Sequence, residues 1–381
     1  MRKICVATGS RADYGLLHWV MRAIRDSGRL ELQVAVSGMH LSPEFGLTAR
    51  GIEADGFTID ARVDLQLSSD SGRGIGRSIG AGVTGFADAL EALAPDLLLV
   101  LGDRFETLAA VTAALPARIP VAHVAGGDVT EGSFDDAIRH AITKLSHLHF
   151  VSNDDAARRL RQLGEEGWRV HNVGSPGIDY IHQLQPLDRP TLERELGLQL
   201  KRRNLLVTFH PPTVEPGLAA PQFAELLAAL DALGPEVGIV FTYPNADNEG
   251  RSIVALLDKF VASHPNARAF ISLGQRLYLS LMREVDALVG NSSSALYEAP
   301  TLKKAAVNIG NRQKGRLQAA SVVNSAPSRK DIAAAIGRAL ALDCSRVVNP
   351  YGEGRSAERI VSRLLEAGDR SRLLRKKFID A

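Results

Sequence analysis

The sequence VDALVGNSSSALYE at residues 285–298 joins an apolar run to a helical pattern through a polar turn. The run at 285–289 has the composition of a buried strand, and three serines follow it at the predicted start of a helix. Because a helix N-terminus presents unpaired N–H groups and partial positive charge, this segment suits a phosphate. Glu298, further along the predicted helix, could accept hydrogen bonds from the hydroxyls of a ribose. The alternative interpretation is a serine-rich cap beside a solvated glutamate.

Similar apolar runs alternate with helical patterns along the whole chain, which is typical of parallel strands covered on both faces. The runs lie at 4–7, 32–36, 96–101, 119–124, 205–209, 237–241, 269–271 and 287–289. At 381 residues the chain exceeds one ordinary core, and a polar, proline-bearing segment divides the runs into two halves. We therefore predict an α/β fold of two Rossmann-like, doubly wound domains, at 1–185 and 191–355. A C-terminal helix over 356–381 is expected to pack back on the N-terminal domain.

Composition excludes several function classes. Lys and Arg total 45 against 43 Asp and Glu, so nothing favours nucleic acid or anionic lipid as a partner. Two cysteines, Cys5 and Cys344, are too few for a disulfide scaffold or a cysteine-built metal site. No apolar run approaches the length of a membrane span, and the run after Lys3 is too short for a signal peptide. We predict a cytoplasmic protein without nucleic-acid or membrane partners.

Polar groups follow the strand runs, where the carboxyl ends of parallel strands form ligand crevices. They are Arg11, Asp103, Arg104, Asp128, His210 and Asn245. Each has a plainer interpretation: Asp103 could cap a helix, and His210 could be a satisfied core histidine. Together they favour one ligand site. The segment after the first strand lacks the GxGxxG spacing of a dinucleotide fingerprint, and the histidines lack HExxH spacing. We therefore expect neither a cofactor nor a metal.

Seven motifs, taken together and in order, resemble the hydrolysing UDP-N-acetylglucosamine 2-epimerases of sialic and related nonulosonic acid biosynthesis. They are GSRADYG (9–15), LGDRFE (101–106), DDAIRHAITKLSHLHF (135–150), HPPT (210–213), YPNAD (243–247), GNSSSALYE (290–298) and NIGNRQKGR (308–316). The resemblance implies a glycosyltransferase-B-like fold with the active site in the cleft between its domains. It also implies a UDP-sugar substrate and a homodimer, or a tetramer.

The resemblance further implies the chemistry and its residues. Such enzymes eliminate UDP across C1 and C2 of the sugar, and water then adds to the 2-acetamidoglucal to give N-acetylmannosamine. This needs positioned acids and bases and donors for the departing diphosphate. The positions that match catalytic residues of the family are Asp103, Asp135 and His210. Those that match substrate-binding residues are Arg11, Arg104, His210, Asn245, Ser292, Ser293, Glu298 and Arg312.

One departure concerns the acids. Several relatives place a catalytic glutamate two residues after the histidine equivalent to His123, where this chain has Ala125. Asp128 or Glu131 could replace that carboxylate, or Asp135 could act without it. The matching segments at 135–145 and 308–316 favour the hydrolysing branch over a non-hydrolysing epimerase. A glycosyltransferase and a noncatalytic nucleotide-sugar sensor remain alternatives. The sequence leaves open whether the sugar nucleotide is UDP-N-acetylglucosamine, UDP-N,N′-diacetylbacillosamine or a GDP analogue.

Overall fold

The computed structural model describes residues 1–69, 71–131, 133–212, 215–244 and 249–380. The chain divides into two compact units. Unit 1 comprises Met1–Val129, Asp135–His182 and Tyr351–Ala381, and unit 2 comprises Thr130–Phe134 and Gln183–Pro350.

Unit 1 is built on a parallel sheet whose strand order is β3-β2-β1-β4-β5-β6-β7. Its strands are β1 (Arg2–Thr8), β2 (Leu30–Ser37), β3 (Ala61–Val63), β4 (Leu97–Leu101), β5 (Val121–Val124), β6 (Leu148–Val151) and β7 (Val170–Asn172). Between them lie α1 (Arg11–Asp26), α2 (Ala49–Ala54), α3 (Gly72–Leu93), α4 (Phe105–Ala114), α5 (Asp135–Leu145) and α6 (Asp154–Gln162), with α7 (Pro176–Gln183) after β7. The sheet reverses its winding between β1 and β4, the position where such sheets bind ligands.

Helices cover both faces of this sheet, because its central strands carry buried apolar side chains on both sides. Ile4 and Val6 of β1 belong to one buried cluster, whereas Cys5 and Ala7 belong to another. Alternation of side chains along a strand assigns these two clusters to opposite faces. The continuous apolar runs are therefore explained by double coverage rather than by an exposed edge.

Unit 2 repeats the arrangement with the strand order β10-β9-β8-β11-β12-β13. Its strands are β8 (Arg203–Thr208), β9 (Val237–Thr242), β10 (Ala267–Phe270), β11 (Ala287–Gly290), β12 (Ala305–Ile309) and β13 (Val322–Ser325). Its helices are α8 (Arg189–Leu196), α9 (Ala219–Asp231), α10 (Gly250–Ser263), α11 (Gly274–Glu284), α12 (Ser294–Tyr297) and α13 (Arg329–Ala341). The winding reverses between β8 and β11. The prediction of two Rossmann-like, doubly wound α/β units is confirmed.

The C-terminal segment belongs to unit 1 and forms two helices, α14 (Ser356–Glu366) and α15 (Arg370–Leu374). Asp179 of α7 fixes the start of α14 by accepting hydrogen bonds from the backbone N–H groups of Ser356 (2.8 Å) and Ala357 (2.6 Å). The prediction of one long helix was wrong, because Gly368 adopts a left-handed φ of +51° and Asp369 caps a new helix.

Candidate active site

The carboxyl edge of the unit 1 sheet places Asp103 in the turn that joins β4 to α4. Gly102 makes this turn with a φ of +78°, a conformation that favours glycine. Asp103 pairs with the guanidinium of Arg139 from α5, whose side chain is 1% exposed. The same guanidinium donates through Nη1 to the backbone oxygen of Asp128 (2.8 Å) and to Asp136 Oδ1 (3.0 Å). Asp103 is therefore held against a buried cation, and 22% of its side chain stays exposed.

Asp135 is the first residue of α5 and is half-buried. Arg139 lies four residues further along, and residues at this spacing share one face of a helix. Asp135 is thus on the face of α5 that reaches Asp103 through Arg139. Sequence reasoning missed Arg139; the available signal was its i+4 spacing from Asp135 within the segment DDAIRHAITKL.

A buried histidine supports the turn that carries Asp103. His123 of β5 is fully buried and contacts the backbone oxygen of Gly102 through Nε2 (2.7 Å) and Thr143 Oγ1 through Nδ1 (3.3 Å). Burial lowers the pKa of His123 to about 3, so the ring is neutral. The carbonyl requires a proton on Nε2, which leaves Nδ1 to accept from the threonine hydroxyl.

Asp128 and Glu131, the two acids that could replace the glutamate missing at Ala125, both pair with other residues. Asp128 is 4% exposed, and its carboxylate accepts hydrogen bonds from Ser152 Oγ (3.1 Å to each oxygen) and Asn153 Nδ2 (3.0 Å). Glu131 belongs to unit 2, where it is exposed and pairs with Lys314 at 2.8 Å.

Two predicted arginines also lie at the carboxyl edge of unit 1. Arg11 begins α1, and Ser10 caps that helix in a reciprocal pair with Asp13. Arg104 precedes α4 and forms a side-on ion pair with Glu106, with Nε–Oε2 at 3.1 Å and Nη2–Oε1 at 3.2 Å. Sequence reasoning missed Glu106, although it ends the motif LGDRFE.

In unit 2 the winding reversal brings His210, after β8, beside Asn291, after β11. The backbone N–H of His210 donates to Asn291 Oδ1 (2.7 Å), and Asn291 Nδ2 donates to the backbone oxygen of His210 (2.7 Å). Gly290 permits this approach, because a Cβ there would lie 1.9 Å from the backbone oxygen of Thr208. Asn291 itself is held through its backbone oxygen by Gln313 Nε2 (2.8 Å). His210, which is 7% exposed, therefore has a fixed backbone.

The serine segment is half-buried at Ser292 and Ser293, and it leads into a single helical turn, α12. The sequence predicted a longer helix. Pro300 explains the difference, because proline lacks a backbone donor and disfavours helical geometry in the residue before it. Arg312 donates through Nη1 to the backbone oxygen of Asn291 (3.3 Å), so this predicted cation lies beside the segment.

Glu298 follows α12, and its side chain has a strongly perturbed environment. Its Oε2 atom is buried and, within the described ranges, has no hydrogen-bond partner. Burial raises the pKa of Glu298 to about 7, while Ser294 and Arg316 act in the opposite direction. An unpaired buried carboxylate oxygen is costly, so a hydrogen-bond donor from a ligand would stabilise it. The predicted residue Asn245 lies outside the described residues.

Among the residues with described positions, no group of three or more His, Cys, Asp and Glu side chains is arranged to hold a metal ion. No helix in these same ranges is both long enough and apolar enough to cross a membrane.

Comparisons with known proteins agree on one family. A family model described as UDP-N-acetylglucosamine 2-epimerase matches residues 22–365. The GDP/UDP-N,N′-diacetylbacillosamine 2-epimerase (hydrolyzing) of Campylobacter jejuni is 39% identical over 85% of this chain and 84% of that protein. The UDP-N,N′-diacetylbacillosamine 2-epimerase (hydrolyzing) of Legionella pneumophila is 33% identical over 99% of each. The crystal structure of UDP-GlcNAc 2-epimerase from Neisseria meningitidis bound to UDP-GlcNAc shares the fold, with a TM-score of 0.81 at 18% identity over 96% of this chain and 100% of that chain.

Proposed function

This chain belongs to the UDP-N-acetylglucosamine 2-epimerase family, and we propose that it hydrolyses a UDP-linked 2-acetamido sugar with inversion at C2. The observation that carries the proposal is the carboxylate Asp103, held by buried Arg139 beside Asp135 at the winding reversal of unit 1. Fixed carboxylates suit proton transfer at a carbon, because a base must be positioned before it can remove a weakly acidic proton.

The proposed reaction has two steps. A base takes the proton from C2, the C2–H electron pair forms the C1=C2 double bond, and the C1–O bond breaks to release UDP. Water then adds to C1 of the 2-acetamidoglucal while C2 receives a proton. Since the configuration at C2 inverts, the proton leaves from one face of the sugar and returns to the other. Two separate groups are therefore needed, and we assign these roles to Asp103 and Asp135.

Asp135 acts without a substitute for the glutamate missing at Ala125. Supporting this, the Asp128 carboxylate is already occupied by Ser152 and Asn153, and Glu131 is exposed beside Lys314. We propose that Asp128 fixes the loop after β5 and that Glu131 takes no direct part in proton transfer.

Most of the proposed nucleotide-binding groups belong to unit 2. We propose that Ser292, Ser293 and Arg312 bind the diphosphate, and that His210 donates a hydrogen bond to it as negative charge develops on the departing oxygen. Arg11 and Arg104 of unit 1 contribute further cations to the diphosphate. Glu298 accepts hydrogen bonds from the ribose hydroxyls, which would satisfy its buried Oε2 atom. Asn245 keeps its predicted role in nucleotide binding.

Replacing Glu298 by Gln is expected to raise the dissociation constant for UDP by about tenfold or more, because a charge-assisted hydrogen bond of roughly 1.5–3 kcal/mol is lost. The affinity of the native protein should also fall as the pH drops below about 7, where this carboxyl becomes protonated. Calorimetric titration with UDP across this pH range tests both. The phosphate of UDP also titrates, but it does so equally with the native protein and with Glu298→Gln. The difference between the pH dependences of their UDP affinities therefore isolates the effect of Glu298.

The matched control is Glu358→Gln, which makes the same chemical change at an exposed position of α14 in unit 1. Its UDP affinity should equal that of the native protein. Equal UDP affinity for Glu298→Gln would instead favour the plainer interpretation, a glutamate with a purely local role.

The relatives and the family description favour different sugar nucleotides. The two diacetylbacillosamine 2-epimerases favour UDP-N,N′-diacetylbacillosamine, whereas the family description favours UDP-N-acetylglucosamine. Phosphorus and proton NMR with each nucleotide sugar, and with the GDP analogue, should show release of the nucleotide and one free sugar. Formation of a UDP-linked epimer would indicate a non-hydrolysing enzyme, and binding without turnover would indicate a sensor.

The biological setting follows from this assignment. We propose that the product enters sialic acid or a related nonulosonic acid, and that the protein acts in the cytoplasm as a homodimer. The cysteines support the compartment, because Cys5 and Cys344 are both free and buried, as is common under reducing conditions.

A further inference from the structure

Arg104 forms an ion pair with the buried carboxylate of Glu106. The side chain of Glu106, in the first turn of α4, is 1% exposed, while that of Arg104 is 14% exposed. The guanidinium presents one edge, Nε and Nη2, to the two carboxylate oxygens at 3.1 and 3.2 Å. This side-on geometry fixes the plane of the guanidinium as well as its position.

Two strand ends leave room for the Glu106 side chain. A Cβ at Gly9, after β1, would lie 2.8 Å from Cβ of Glu106, and a Cβ at Gly38, after β2, would lie 2.9 Å from its Cγ. Both distances are shorter than real contacts of this kind, so these two positions require glycine. The backbone therefore leaves room for this one side chain at the winding reversal, which ordinary helix formation at α4 does not need.

The electrostatics make Arg104 the counter-ion of this carboxylate. Burial raises the pKa of Glu106, Arg104 opposes that change, and nearby Asp13 adds to it. A buried carboxylate without its cation is strongly disfavoured. The ion pair with Glu106 therefore holds the Arg104 guanidinium in place. Holding a cation in advance avoids the ordering cost when a ligand binds.

We propose that Glu106 is a positioning residue that aims Arg104 at the diphosphate of the substrate. The proposal rests on the proposed function, which assigns Arg104 to the diphosphate. Glu106 itself touches no substrate. Its effect reaches the reaction through Arg104, which stabilises the charge that develops as UDP departs.

A double-mutant cycle tests the proposal through kcat/KM and the dissociation constant of UDP. Glu106→Gln keeps the shape of the side chain and removes its charge. It is expected to lower kcat/KM by about tenfold, and Arg104→Ala by about 100-fold. Adding Glu106→Gln to Arg104→Ala should cause little further loss, because the residue through which Glu106 acts is already absent. Equal losses from Glu106→Gln with and without Arg104 would overturn the proposal.

Chemical rescue distinguishes positioning from general support of the fold. Guanidinium ion at roughly tens of millimolar should restore about tenfold of the activity lost in Arg104→Ala, because the Glu106 carboxylate binds it side-on. The double variant should not respond. Equal rescue of both variants would contradict the proposal. If Glu106→Gln does not fold, the activity of Arg104→Lys tests the proposal instead. A lysine cannot form the side-on pair with Glu106, so full activity of Arg104→Lys would also overturn the proposal.

The measurements separate this proposal from the proposed function. If the native protein releases UDP from none of the nucleotide sugars, the proposed function fails. The cycle can still be read from UDP affinity, where Glu106→Gln is expected to raise the dissociation constant by about tenfold only when Arg104 is present.

Discussion

Replacement of Asp103 or Asp135 by Asn is expected to lower turnover by roughly 100-fold or more, the usual scale for acid–base groups. Asparagine keeps the shape of the side chain but cannot exchange a proton with C2. UDP affinity should change little, because neither residue is assigned to the nucleotide. Turnover is measured in deuterated water, where each catalytic cycle labels C2 of the product. The variant that cannot return the proton should also release 2-acetamidoglucal.

Asp136 provides the matched control. It also accepts a hydrogen bond from Arg139, at 3.0 Å, and its side chain is 25% exposed against 22% for Asp103. Asp136→Asn therefore removes one negative charge from the same buried cation without removing an assigned proton-transfer group. Its loss of turnover should stay below about tenfold. If all three variants lose the same activity, the loss reports the charge balance around Arg139, and the assigned proton transfers are wrong.

The fold was predictable because its main strands contain apolar runs whose side chains are buried on both faces of the sheet. The alternation of buried runs with helical patterns predicted two doubly wound units. β4 falls within the run at 96–101, and β8 overlaps the run at 205–209. Shorter strands gave weaker signals. β7, for example, has only three residues, one of them exposed, so its composition does not distinguish it from a loop.

The site was only partly predictable, because several of its interactions join residues that are distant in sequence. Strand-end position was enough to select Asp103 and His210. Their partners are Arg139 and Asn291. The packing of α5 and β11 brings these partners close, and a local sequence pattern does not specify that packing. Glu106 was missed for a related reason: a glutamate in the first turn of a helix is ordinarily favoured by the helix dipole, and only its burial against Gly9 shows another role.

Unit 1 is expected to lose stability as the pH falls from 7.5 to 5, because it buries neutral histidines. Burial lowers the pKa of His40 to about 4, that of His123 to about 3 and that of His147 to about 4. In the unfolded chain a histidine titrates near 6.5. Between these values the unfolded state binds more protons than the folded state, so stability is complete above pH 6.5 and falls as the pH drops.

The size of the loss follows from the same linkage. Each histidine contributes about 1.4 kcal/mol per pH unit below 6.5, or about 2 kcal/mol at pH 5. Three of them together remove roughly 6 kcal/mol at pH 5, whereas the buried acids Asp13, Glu106 and Asp179, whose pKa values burial raises, act in the opposite direction. Urea unfolding followed by tryptophan fluorescence measures this unit alone, because both tryptophans of the chain, Trp19 and Trp168, belong to it.

His147→Asn separates titration from packing. The backbone N–H of Val121 donates to His147 Nδ1 at 3.1 Å, and an asparagine oxygen can accept the same hydrogen bond without titrating. The variant should lose about 2 kcal/mol less than the native protein between pH 7.5 and pH 5. The buried acid Glu165 cannot mimic this effect. Although burial acts to raise its pKa, hydrogen bonds from His149, Lys144 and Lys376 hold it at about 2, so its contribution changes only at lower pH. An unchanged pH dependence in His147→Asn would show that this histidine does not drive the acid loss.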